Sequence, residues 1–277
     1  MALRSSRVVV AALTLIVGGL VAAPAQADPP ETDACPVGYS TDFNGDGFAD
    51  VVVGDPPAAV AGHAAAGRLV VLYGDAGGRV GEGDRRTVLR QGSAAIGGKP
   101  ETGDQFGYSL SVADIDCDGF TDVVVGSPYE DLGSAADAGY VQIVWGASAG
   151  LGTGAAARGI SRASFYETVR AGDQFGFAVD TQEDWIDGAT GALNAYVLAI
   201  GAPGADVHGH ADAGWVGVRS AVDGGNTLFS ITQDTPAIPG TAETGDRFDA
   251  AVTVGSSEGP RARSTSQSAA RTRTSAR

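Results

Sequence analysis

The chain has 277 residues, 43% of them hydrophobic, and its 18 basic and 33 acidic residues leave a net charge of −15, the composition of a soluble globular protein. Its 42 glycines follow no G-x-y period and sit in no long polar tract, which excludes collagen and a flexible linker and assigns them to turns. Residues 28–254 alone hold 11 bases and 32 acids, net −21, so nucleic acid and anionic membranes are excluded as partners and a divalent cation is favoured.

Arg4 and Arg7 precede an apolar run from Val8 to Ala23, and Ala25-Gln26-Ala27 follows as a small-x-small cleavage signature. The pattern predicts a signal peptide over 1–27, Asp28 as the first mature residue and a secreted protein with no transmembrane segment after cleavage. An uncleaved anchor is the alternative, but about sixteen apolar residues are short for a span, which needs roughly 20. Two cysteines remain, Cys35 and Cys117. In an oxidising compartment a single disulfide between them is expected, two unpaired thiols being the alternative.

The next segment, Asp42-Phe43-Asn44-Gly45-Asp46-Gly47-Phe48-Ala49-Asp50, returns as Asp114-Ile115-Asp116-Cys117-Asp118-Gly119-Phe120-Thr121-Asp122. Oxygen-bearing side chains at positions 1, 3, 5 and 9 with Gly at 6 match the opening of a calcium loop, closed early by the position-9 acid. Asp42, Asn44, Asp46 and Asp50 form one predicted ligand set and Asp114, Asp116, Asp118 and Asp122 the other, each with the position-7 carbonyl, Phe48 or Phe120. Their phenyl rings are expected to pack under the loops. Calcium is favoured over magnesium because an all-oxygen cage of variable reach suits it. In the third copy, Asp180 to Gly188 holds acids, but Val197 stands where the last ligand should be, and no calcium is expected there.

Behind each loop runs a strand-like stretch ending in glycine: Val51 to Gly54, Val123 to Gly126, Val197 to Gly201. Thirteen residues later come Gly67, Gly139 and Gly214, each followed by a second strand-like run. Gly-Asp-Gln-Phe-Gly at 103–107 recurs at 172–176 and, as Gly-Asp-Arg-Phe-Asp, at 245–249. Steps of 69 and 73 residues define units of about 70, placed at 36–97, 98–165 and 166–240 with a partial unit at 241–254. Short alternating strands and Gly-rich turns predict an all-β fold of four-stranded units. A β-propeller, here an incomplete set of about three to four blades, is the natural closure, and a β-sandwich the alternative. Residues 255–277, with five Arg and almost nothing apolar, are expected to be a disordered basic tail.

Phe106-Gly107 with Gly126-Ser127-Pro128, and Phe175-Gly176 with Gly201-Ala202-Pro203, resemble the FG-GAP repeats of integrin α-subunit propellers and of many secreted bacterial proteins. The resemblance spans roughly residues 36–254; Val37-Gly38 replaces Phe-Gly in the first unit and Phe248-Asp249 in the fourth. It implies a seven-bladed propeller with structural calcium in blade loops and, in the integrin case, a surface that supports adhesion. The expected function is a calcium-binding module for extracellular interaction or adhesion, with a protein or glycan ligand read by loop residues such as Arg68, Tyr129, His208 and His210, and self-association through exposed blade faces. The alternatives are a repeat fragment with no autonomous role and the repeat portion of an extracellular hydrolase. No nucleophile elbow or zinc-protease motif accompanies His63, His208 and His210, so no enzyme is expected.

Overall fold

The computed structural model describes residues 41–186, 193–222 and 225–255, all within one unit spanning Asp33–Arg277. The described strands form three antiparallel meanders in chain order. Sheet I holds β1 (Val51–Asp55), β2 (Arg68–Leu72) and β3 (Arg86–Leu89); sheet II holds β4 (Ser109–Ala113), β5 (Asp122–Ser127), β6 (Tyr140–Val144) and β7 (Arg158–Ile160). Sheet III holds β8 (Ala178–Ile186), β9 (Leu193–Ala202), β10 (Trp215–Val222) and β11 (Gly225–Ile231). One turn of 3₁₀ helix, Arg162–Phe165, follows β7. The architecture is all-β, forms no closed barrel among the described residues, and is consistent with an incomplete propeller. No described helix is long and apolar enough to cross a membrane.

Sheet II shows why β-branched residues fill these strands. Successive side chains of a strand point to opposite faces, and β5 uses both. Val123 and Val125 join Leu69, Val71 and Phe106 in one core, while Val124 joins Val141, Ile143, Ile160 and Phe175 in another. Every residue of β5 is therefore buried. At roughly 1.5–3 kcal/mol per fully buried valine, this strand clamps its neighbours from the middle. In β1 the same alternation points Val52 at the first core but leaves Val51 and Val53 exposed at 41% and 45%. At the other end, Val197, Ala199, Val216 and Val218 line an apolar cleft of about 480 Å³ with Phe229 and Val252.

The repeated motifs are the joints between sheets. Phe106, Phe175 and Phe248 each donate a backbone N–H to the preceding unit, to the carbonyls of Ala66, Ala138 and Ala213, all at 3.0 Å. The first strands of neighbouring units lie side by side. Ser109 Oγ donates to the Gly176 carbonyl at 2.7 Å, Ser111 Oγ to Asp180 Oδ1 at 3.2 Å and Thr253 Oγ1 to Asp180 Oδ2 at 3.0 Å. Asp180 is thus a tie between strands. The third acidic segment runs on into the long hairpin of β8 and β9, whose tip, 187–192, lies outside the described residues. The predicted signal peptide, the opening of the first unit, Cys35 and the tail beyond Gly255 lie outside them too. Among described residues no cysteine is free, and the expected Cys35–Cys117 pairing falls partly outside what is described.

Candidate metal centre

The second acidic loop connects β4 to β5 and the first leads into β1, the counterpart of β5, and they fold alike because their end carboxylates are caught by backbone N–H groups. Asp42 accepts from Gly45 at 2.7 Å and Gly47 at 2.8 Å; Asp114 accepts from Asp118 at 3.2 Å and Gly119 at 3.0 Å. Gly47 and Gly119 adopt φ of +86° and +90°, left-handed conformations that glycine enters without Cβ strain. The position-9 acids close the loops from the following strand. Asp50 accepts from Phe43 at 2.9 Å and Gly74 at 2.8 Å, and Asp122 from Ile115 and Gly146, both at 2.8 Å.

Asp114, Asp116 and Asp122 bring one carboxylate oxygen each to within 4.8 Å of one another. Burial pushes the Asp122 carboxyl up to about 7; the Gly146 and Ile115 N–H groups counter this, and Asp116 and Asp114 add to it. Asp116 is raised by burial and then by repulsion from Asp118 and Asp114. Anionic oxygens held this close, partly out of water, repel unless a cation joins them. The donor set is oxygen alone, which suits a hard cation of the calcium type.

The first loop differs. Asn44 replaces one acid, and Asp46 Oδ2 accepts from Arg85 at 3.0 Å, a guanidinium with no counterpart in the predicted ligand set. Among the described residues, three acids converge only at the second loop. Asp118, also a predicted ligand, is exposed outside that triad and accepts the Phe120 N–H at 3.0 Å.

The rings at position 7 do not pack as expected. Phe48 is 36% exposed and Phe120 only partly buried, whereas the position-2 residues Phe43 and Ile115 lie in the core. The reason is the sharp turn at Gly47 and Gly119, which leaves position 2 on the sheet side of the loop. Phe120 instead lies over Gly45 of the first loop, where a Cβ would stand 2.6 Å from its ring. Sequence reasoning also missed Thr121, whose Oγ1 accepts the Asp42 N–H at 3.1 Å while its own N–H donates to the Asp42 carbonyl at 2.9 Å, coupling the loops. Position 8 carries no signal of this. Gly74 and Gly146 end the second strand-like runs of the first two units, and nothing in that position signals their role as donors to Asp50 and Asp122.

The predicted recognition residues lie toward the opposite end of the sheets. Arg68 pairs with Asp55 at 2.9 Å, His208 Nδ1 meets Asp234 at 2.7 Å, Tyr129 packs edge-on against Tyr108, and His63 and His210 close equivalent turns with Val60 and Val207. His208 lines a polar cavity of about 300 Å³ with Arg162, Trp215 and Thr232.

Repeated antiparallel meanders joined at Phe-Gly and Gly-x-Pro motifs, with aspartate loops leading into the strands that end at Gly-x-Pro, define a class of β-repeat protein. The FG-GAP repeat family matches this chain over residues 38–72 and 106–144, so an FG-GAP repeat region is present. That region contains both aspartate loops. No curated protein matches the chain.

Proposed function

We propose that this chain is a secreted, calcium-stabilised module of the integrin-like propeller type, built for extracellular interaction or adhesion, in which the metal is structural. The carrying observation is the convergence of Asp114, Asp116 and Asp122 within a loop in register with the FG-GAP repeat. On this reading Asp114, Asp116, Asp118, Asp122 and the Phe120 carbonyl hold one calcium, and Asp42, Asn44, Asp46, Asp50 and the Phe48 carbonyl hold a second, weaker one. The ion offsets the repulsion and desolvation of its carboxylates, so its binding energy adds to folding. Cleavage after Ala27 and a Cys35–Cys117 bridge complete the proposal. Calorimetry with calcium tests it, alongside thermal melts in calcium and in chelator. Two binding events, with dissociation constants on the order of 10⁻⁴–10⁻³ M, and a higher midpoint in calcium are expected; no binding heat and superimposed melts would refute it.

A second reading, a repeat segment that acts only in association, is favoured by the exposed Val51 and Val53 at one end and the apolar cleft at the other. Internal junctions bury the equivalent faces. Self-association, measured by light scattering, is the outcome expected of it.

A further inference from the structure

At the junction between sheets I and II an uncharged side chain stands where the next junction has a cation. Gln91 and Arg162 are equivalent, each two residues beyond the last residue of its sheet's final strand, Leu89 or Ile160. Both are buried, at 2% and 3% exposure. Arg162 donates to the buried Asp173 at 2.9 Å, and its guanidinium stands 4.9 Å from the centre of the Trp215 ring. Asp104 is the counterpart of Asp173 in the Gly-Asp-Gln-Phe-Gly motif and is equally buried, at 2%. At its junction, however, the arginine position is occupied by an uncharged amide.

That amide is incompletely satisfied. Gln91 Nε2 donates to Glu130 Oε2 at 2.5 Å, but Oε1 is buried with no hydrogen-bond partner. An orphaned buried acceptor is costly and calls for an explanation. Gln91 and Glu130 line a cavity of about 320 Å³ with Tyr140 and Gln142. Tyr140, directly after Gly139, corresponds to Trp215 directly after Gly214, so an aromatic wall is present at both junctions. Among the described residues, no Arg or Lys lines this cavity. Instead Glu101, Asp104 and Asp131 act on Glu130, and burial with this repulsion pushes its carboxyl up to about 7.

We propose that this cavity receives a guanidinium group, the arginine side chain of a partner peptide, placed against Tyr140 with N–H groups directed to Gln91 Oε1 and Glu130. A guanidinium fits better than an ammonium because it is planar, stacks on an aromatic ring and presents donors in a fork, as Arg162 does one junction further on. The site lies at the end of the sheets remote from the aspartate loops and uses none of their residues, so it goes beyond the calcium reading and stands without it.

The test is calorimetric titration of the full chain, in calcium, with Nα-acetylarginine methylamide, its citrulline counterpart as a neutral isostere, and its lysine counterpart. Arginine should bind, and citrulline should bind at least about tenfold more weakly, the loss expected when a charge-assisted hydrogen bond becomes neutral. Glu130→Gln should weaken arginine binding about tenfold for the same reason. Gln91→Arg should reproduce the next junction, raising the melting midpoint and abolishing arginine binding. Equal affinity for citrulline, no affinity for arginine, or undiminished affinity in a folded Gln91→Arg variant would overturn the proposal, and lysine binding as tightly as arginine would overturn the guanidinium assignment. Should Gln91→Arg fail to fold, Glu130→Gln decides.

Discussion

The carbonyl oxygen of Gly107 lies 2.1 Å from the point where a Cβ on Gly54 would stand. These residues belong to successive units, and the pair recurs as Gly126 with the carbonyl of Gly176, again at 2.1 Å. Backbones this close leave no room for a side chain, which gives the glycines of the Phe-Gly and Gly-x-Pro motifs one shared physical cause. Gly54→Ala and Gly126→Ala should each destabilise by about 1–3 kcal/mol or more, because the obstruction is backbone and cannot rotate away. Gly255→Ala, with open space around it, should stay within roughly 0.5 kcal/mol of the parent. Urea unfolding of the three variants measures the contrast.

Asp118→Ala removes both a proposed calcium ligand and a source of repulsion toward Asp116. It should leave stability in chelator little changed and sharply reduce the gain on adding calcium. Equal loss in both buffers would instead assign Asp118 to the turn, through its bond to the Phe120 N–H. Thermal melts with and without calcium report the difference.

Asp122 and Glu130 are held at about 7 and Asp104 at about 6, each chiefly by burial. Between the ordinary carboxylate range near 4 and these values the native state binds more protons than the unfolded chain. Stability without metal should therefore be fully present at the acidic side of that window and fall as pH rises through about 6 and 7. Calcium should restore the part owed to Asp122 and leave the parts owed to Asp104 and Glu130. Urea midpoints in chelator and in calcium, at pH 5 and pH 7.5, separate the contributions.

Asp249 stands where the other units carry the second glycine of Gly-Asp-Gln-Phe-Gly, with φ of +104° against +89° at Gly107 and +90° at Gly176. Its buried carboxyl is pushed up to about 8 by desolvation. Asp249→Gly relieves left-handed strain worth about 1 kcal/mol but takes the acceptor from the buried Ala202 N–H, a loss of about 1–3 kcal/mol, so at acidic pH it should be neutral to destabilising. The balance should shift in favour of the variant as pH rises from about 4 to about 8, where the unfolded carboxyl is ionised and the buried native one still is not. A series of melts across that range checks both parts.

Much of this protein was legible in the sequence because repetition makes one unit a control for another. The equal offsets from Gly54 to Gly67, Gly126 to Gly139 and Gly201 to Gly214 located strands whose order is local. The D-x-[DN]-x-D-G spacing named the loops, since most of the hydrogen bonds to their end carboxylates come from within nine residues. What the tertiary structure decided involves residues distant in the chain. That Val124 faces one core and Val123 another, that Arg85 draws on Asp46, that Thr121 joins the two loops through Asp42, and that Phe43 rather than Phe48 goes under its loop all depend on how neighbouring units meet. The sharpest case is Gln91. In the sequence it is an unremarked polar residue after a strand, and only packing against Glu130 and Tyr140, roughly forty to fifty positions away, buries its amide and leaves an acceptor without a donor. Local spacing determines which backbone forms and where acids cluster; burial, charge balance and unmet hydrogen bonds are properties of the space between units, and they exist only once the units are packed.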